Sequence, residues 1–126
     1  PGGRLVLQAI TMPDEYYDEY RRSTDFIQRY VFPGGFLPSL GAMNAIMNRE
    51  TALRVAHVDD IGLHYAKTLR IWHDNLIASR DVIAGYGFDE RLYRLWRYYL
   101  SYCEGGFLEK AISTVHLVAH KSDARP

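Results

Sequence analysis

An α/β fold is the expectation from the order of hydrophobic patterns along this chain of 126 residues. Three short runs read as strands, at Arg4–Thr11, 52–61 and 113–120, and the stretches between them carry apolar residues at helical spacing. Strands and helices in that order bury their faces against one another in mixed layers, not in a pure bundle or sandwich. Apolar residues make up 48% of the chain, enough for a packed core and too many for a disordered segment, and the length fits one domain.

Arg4–Thr11 (RLVLQAIT) is an almost unbroken apolar run after two glycines, the pattern of a strand covered on both faces. Gln8 interrupts it and needs a hydrogen-bond partner if buried. Met12, Pro13 and Asp14 end the strand. Residues 15–31 set Tyr16, Tyr20, Ile27 and Val31 at near-helical spacing, with a break and a fresh cap around Ser23, Thr24 and Asp25. Pro33, Gly34, Gly35 and Pro38 then make a rigid bend between aromatic residues. A short helix follows over 39–48, with Ser39 as its cap. Residues 52–61 alternate apolar and polar side chains, as a strand does. The stretch 64–83 is amphipathic, with Leu69, Trp72, Leu76 and Ile83 on one stripe, and Gly85 and Gly87 stop it. Asp89 caps a helix over 90–103 that turns Leu92, Leu95, Trp96, Tyr99 and Leu100 inward. Gly105 and Gly106 are expected to break it, with a last turn at 107–111. The strand at 113–120 completes the pattern, and the polar tail at 121–126 is expected to fray.

Fifteen basic residues balance fifteen acidic ones, which gives no electrostatic case for a nucleic-acid partner. The single cysteine, Cys103, allows no internal disulfide and fits a reducing, cytoplasmic compartment. No apolar run approaches the roughly 20 residues of a membrane span. The start lacks the charged region and cleavage site of a signal peptide and reads as the interior of a longer protein. Ten tyrosines supply apolar area with a polar tip, suited to a core, an interface or a lipid-facing pocket. Gly34-Gly35 and Gly105-Gly106 lack the spacing of a dinucleotide loop, and no helix carries histidines at i and i+4 for a metal. His57, His73, His116 and His120 therefore read as structural or solvated, and Cys103 as a small core residue.

Two stretches say more than the rest: YVFPGGFLPSL at 30–40 and GLHYAKTL at 62–69, supported by YLSYCEGGF at 99–107. Together they resemble the cyclopropane-fatty-acyl-phospholipid synthase and mycolic acid cyclopropane synthase family, whose members use S-adenosylmethionine (SAM) to modify lipid acyl chains. The resemblance extends from Gly3 to His120. It implies that residues 1–126 are the C-terminal part of a SAM-dependent, Rossmann-like methyltransferase fold. In that fold the final strand runs antiparallel between the other two, and 14–48 forms a helical lid over the lipid site. It also implies that the cofactor-binding strands, with their glycine-rich turn, lie upstream of this chain.

The same resemblance proposes site residues. Tyr65 would stand beside a bound bicarbonate and the methylene acceptor, its phenol holding the anion; read without the resemblance, it is a core tyrosine at a helix start. Gln8 and the backbone of Ile10 occupy the strand that holds the same anion, where many members carry histidine in place of Gln8. Glutamine can donate to an anion but brings no titratable proton; the alternative is a glutamine tied to backbone. His64 could act as a base or orient Tyr65. Phe32, Phe36 and Leu37, with Tyr16, Tyr17 and Tyr20, could line an acyl channel, or simply pack the lid on the sheet.

The reading that follows is the C-terminal portion of an enzyme that methylates or cyclopropanates the double bond of unsaturated phospholipid acyl chains, with SAM and bicarbonate as cofactors, peripheral to a membrane surface. A second reading is a non-catalytic lipid-binding or interaction domain derived from that fold. A third, an unrelated tyrosine-rich domain, requires both motif matches to be accidental. If Arg4–Thr11 lies at an open sheet edge, a homodimer or swapped assembly through it is expected.

Overall fold

A computed structural model describes residues 2–122. Its strands are β1 (Arg4–Thr11), β2 (Leu53–Asp60) and β3 (Ser113–Lys121), and its helices are α1 (Asp14–Tyr20), α2 (Phe26–Tyr30), α3 (Leu40–Glu50), α4 (Gly62–Ala78), α5 (Arg80–Gly85) and α6 (Glu90–Leu108). β3 lies in the middle of the sheet and pairs antiparallel with both neighbours, in the order β1-β3-β2. The β1 register runs without a slip from Arg4 opposite His120 to Thr11 opposite Ser113, whereas β2 carries one bulge between Val55 and His57. The antiparallel position of the last strand is the one the family resemblance implies. β1, however, is not covered on both faces: its residues alternate in exposure, and Val6 is 67% exposed. The apolar run therefore reflects β-propensity at an edge strand as well as burial.

The main core lies between α4 and α6, where Ala66, Leu69, Leu100, Cys103 and Phe107 are buried together. Ile10 from β1, Ile27 from α2, and Tyr65, Tyr99 and Ile112 pack against them. One polar tie crosses this interface: Arg70 Nε donates to Glu104 Oε1 at 2.9 Å, with the Glu104 side chain only 10% exposed. α3 packs separately against β2.

Residues 14–48 fold back on themselves through named polar contacts. The Met12 N–H donates to the Pro38 carbonyl at 2.9 Å, so the stretch 13–37 is closed at its two ends. Asp14 Oδ1 accepts the Gly41 N–H at 2.9 Å while Ser39 Oγ accepts that of Ala42, so two side chains cap α3. A Cβ at position 41 would fall 2.5 Å from Asp14 Oδ1, which is why a glycine stands there. The break expected near residue 25 is a full capping box: Asp25 accepts from Gln28 N–H, and Gln28 Oε1 accepts from Asp25 N–H.

Three expectations are corrected. The helix expected over 64–83 begins earlier, at Gly62, and divides at Ser79 into α4 and α5; Trp72 is half exposed and does not point inward with Leu69. α6 continues through Gly105 and Gly106. Two helical glycines cost about 1 kcal/mol each, but continuing the helix buries Phe107, worth about 1.5–3 kcal/mol, and lets Ile112 approach within 3.3 Å of where a Cβ of residue 106 would stand. The helix ends instead at Leu108, and two residues beyond it Lys110 takes the left-handed conformation with φ of 57°. Finally, Lys121 belongs to β3 and the Ser122 N–H donates to the Ala52 carbonyl, so the expected fraying does not begin at residue 121; positions 123–126 lie outside the described residues.

Two outcomes are expected. Arg70→Met leaves the Glu104 carboxylate without its cation in a nearly closed site and should lower stability in urea by about 1–3 kcal/mol. Arg49→Ala breaks only an exposed pair with Glu50 and should cost under roughly 0.5 kcal/mol; equal losses would refute the distinction. The outer edge of β1 has no strand partner among the described residues. The chain is therefore expected to associate at high concentration in sedimentation velocity; a clean monomer whose β1 amides resist exchange would dismiss that.

Candidate functional site

The lid closes over the core and leaves a cavity of about 280 Å³. Tyr20, Ile27, Phe32, Phe36 and Leu37 form its lid side, and Ile10, Tyr65, Leu69, Tyr99, Cys103, Phe107 and Ile112 its floor. The local causes are plain in the chain. The bend at Pro33 to Gly35 needs the left-handed backbone of Gly34, with φ of 82°, and it returns Phe36 and Leu37 toward α1. There Phe36 sits between Tyr17 and Tyr20, at centroid distances of 5.9 and 5.3 Å, and the Tyr20 hydroxyl accepts the Leu37 N–H at 3.3 Å. Gln28 Nε2 donates to the Gly35 carbonyl and locks the bend to α2. Opposite, Tyr99, Cys103 and Phe107 follow at i, i+4 and i+8 on α6 and present one face. The Tyr65 ring rests on Phe107 at 5.1 Å and on Trp72 at 6.1 Å. Its hydroxyl makes no hydrogen bond among the described residues.

The cavity wall is electrically quiet. Burial pushes the Tyr20 and Tyr99 phenols up from their ordinary range, and it pushes the Cys103 thiol up to about 11, against a smaller opposing effect of its hydrogen bond with Tyr99. All three are protonated and neutral near pH 7. No lysine, arginine or histidine lines the cavity, and Asp25, at its margin, is engaged in the α2 cap. A site of this kind suits a neutral apolar ligand with a few polar atoms, and its volume lies at the small end of ligand sites, roughly 300–1,000 Å³.

A second, more polar cleft of about 440 Å³ opens at the carboxyl ends of β1 and β2, bordered by Thr11, Asp14, Asp60, His64, Lys110 and Ser113. Open α/β sheets bind their ligands at such strand ends. Phe107 and Ile112 line both concavities and form the wall between them. The two acidic residues here are committed to structure. Asp14 caps α3, and Asp60 Oδ1 accepts from the Ser113 hydroxyl and the Gly62 N–H. A Cβ at position 62 would strike the Ser113 hydroxyl, so that turn requires glycine. In both, the engaged atom is Oδ1, so each carboxylate is oriented by a turn or cap. The described residues do not by themselves make a SAM site.

The residues expected from the sequence fall in three places. Tyr65, Ile10, Phe32, Phe36 and Leu37 come together in the apolar cavity, as does Tyr20, while Tyr17 supports Phe36 from behind and Tyr16 faces solvent. His64, on the first turn of α4, borders the polar cleft instead. Gln8 lines neither: it is exposed on the sheet, and its Oε1 accepts from Nε2 of His116 on β3 at 2.9 Å. Of the three residues expected beside a bound anion, Ile10 and Tyr65 thus meet in the cavity and Gln8 stands outside it, and bicarbonate finds no support in the described residues. The floor residues Tyr99, Cys103 and Phe107 were not expected in the site. Their i, i+4, i+8 spacing is the signal, hidden by the helix break expected at Gly105 and Gly106, with Tyr99 and Cys103 reading as core and Phe107 as part of a last turn.

The thiol offers a direct test of this neutral cavity. With an ordinary value of 9.0 and a folded value of about 11, Cys103 should carry roughly a hundredfold less thiolate in the folded protein at pH 8. Alkylation by iodoacetamide should slow by at least that factor relative to protein in urea. The linkage sign follows: the fold favours the neutral thiol, so this contribution to stability is intact below pH 9 and is lost as pH rises through about 11. Equal alkylation rates in the folded and unfolded protein would contradict the burial.

Residues 1–117 match the family described as mycolic acid cyclopropane synthetase. A tuberculostearic acid methyltransferase of Mycobacterium tuberculosis is 44% identical over 107 residues, covering 85% of this chain and 25% of that protein. The cyclopropane-fatty-acyl-phospholipid synthase of Escherichia coli is 30% identical over 93 residues, covering 74% of this chain and 24% of its own length. Among solved structures, mycolic acid cyclopropane synthase CmaA1 complexed with SAH and CTAB superposes with a TM-score of 0.83 at 27% identity, over 95% of this chain and 45% of that one. The chain spans about a quarter of the length of these curated relatives, and it carries part of the SAM-dependent methyltransferase fold. It belongs to the mycolic acid cyclopropane synthetase family.

Proposed function

We propose that this chain supplies the acyl-chain side of a SAM-dependent enzyme that methylates or cyclopropanates the double bond of an unsaturated fatty acyl chain, as carried by phospholipids. The observation that carries the reading is the shared wall: the apolar cavity meets the polar cleft at the strand ends through Phe107 and Ile112. SAM, bound by parts of the fold beyond these residues, would supply an electrophilic methyl group. The cavity residues hold the alkyl chain by burial, about 0.8 kcal/mol per CH₂, and exclude water around the reacting double bond. A positive charge develops on the acyl chain in such a transfer. The aromatic rings of Tyr65, Phe107 and Tyr99 offer it their negative faces, and the uncommitted Tyr65 hydroxyl can accept or donate beside it.

A bicarbonate ion as proton acceptor finds no support in the described residues, since Gln8 is held at His116 outside the cavity, and no step is assigned to it. A second reading, a lipid-binding domain without turnover, is favoured by one observation: the described residues enclose an apolar cavity and do not by themselves make a SAM site. The two differ in whether the full protein transfers methyl from SAM to a bound unsaturated lipid.

Tyr65→Phe in the full protein separates a working hydroxyl from a structural one. The ring and its contacts with Phe107 and Trp72 stay. Loss of one hydrogen bond to a charged group would cost about 1.5–3 kcal/mol, or roughly ten- to hundredfold in turnover, with the melting temperature almost unmoved. Normal turnover with a lowered melting temperature would place Tyr65 in the scaffold.

A further inference from the structure

Beside the cavity mouth, α2 and α6 expose an aromatic surface that neither the core nor the cavity uses. Phe26 meets Tyr98 at 4.7 Å and Tyr102 at 5.7 Å, and Tyr30 packs on Phe26 at 5.7 Å. Tyr30, Tyr98 and Tyr102 remain 56%, 55% and 43% exposed. Spacing of three and four residues puts Arg91 and Arg94 on the same face of α6 as Tyr98 and Tyr102, and the Arg29 guanidinium lies over the Tyr30 ring at 5.4 Å. The acidic residues at this face are Glu90, held by Arg94 and Arg80, and Asp25, which lies beside Tyr102; the four arginines Arg29, Arg80, Arg91 and Arg94 outnumber them. The patch is therefore locally basic on a chain whose total charge is zero.

We propose that this face is a docking surface for an anionic lipid bilayer; the proposal rests on the acyl-site reading above and names the surface through which that site meets its substrate. Three observations carry it. Tyrosine, with an apolar ring and a polar tip, is the side chain that settles at the boundary between headgroups and acyl chains. Arginines beside it complement anionic headgroups. The patch also borders the cavity: Asp25, next to Phe26 and beside Tyr102, lines it, as does Phe32, which is 48% exposed and packs nearly at right angles to Trp96 and Tyr99 of α6. No helix among the described residues is long and apolar enough to cross a membrane, so the contact is interfacial.

The test is co-flotation of the full protein with phosphatidylcholine vesicles, with and without phosphatidylglycerol, alongside binding of a soluble short-chain unsaturated fatty acid. Wild type is expected to float with the anionic vesicles only, and less so at high salt. Arg91→Ala should weaken partition roughly fivefold, and Tyr98→Ser with Tyr102→Ser roughly tenfold or more. All should keep wild-type fatty-acid binding, which also reports that they fold. Flotation unchanged in both variants overturns the docking surface while leaving the acyl site standing. Failure of every form to bind the fatty acid removes the acyl-site reading and this proposal with it. A wild type that ignores vesicles but forms a dimer abolished by the double substitution assigns the face to a second copy and overturns the lipid assignment.

Discussion

The burial of Phe107 is the contact on which the rest of the arrangement depends. It is 2% exposed, sits at the end of the longest helix, and touches Tyr65. Its ring completes the α4–α6 core and forms the partition between apolar cavity and polar cleft. Removing it would open one concavity into the other, admit water to the apolar cavity, and leave Tyr65 without its support. The glycines before it follow from the same demand, because Gly106 lets Ile112 close against the helix.

The lid is held by a different class of force. Few of its residues are fully buried, and α1 and α2 are too short to persist alone. Its order comes from side-chain caps and from the tie between Met12 and Pro38, which closes the stretch 13–37 at the end of β1. Hydrogen bonds of this kind contribute about 1 kcal/mol each, modest beside the core. Such a segment can open without the α4–α6 core coming apart.

Electrostatics divides the labour between the two concavities. The cavity keeps neutral groups neutral, because burial raises phenols and a thiol. Apart from Asp25 at the cavity margin, the ionised side chains border the cleft at the strand ends, where Asp14 caps α3 and Asp60 holds a turn. That separation suits a reaction in which a charged donor meets an apolar acceptor through a thin wall.

The strands, the caps at Asp25, Ser39 and Asp89, and the bend at Pro33 to Gly35 were legible in the chain because each depends on neighbours within a few residues. The lid side of the cavity was legible through the same bend, which had to place Phe32, Phe36 and Leu37 together. What lay beyond the sequence depended on partners far along the chain. Gln8 could not be assigned a partner until β3 brought His116 across from it, 108 positions away. The helix through Gly105 and Gly106 went against local propensity because Phe107 had a pocket made by α4 and β1 to fill. The floor of the cavity, Tyr99 and Cys103, looked like ordinary core spacing until the lid was seen standing off from it. Local chemistry determined the elements; tertiary packing decided which of their faces enclose empty space, since a cavity is a property of distant surfaces that fail to meet.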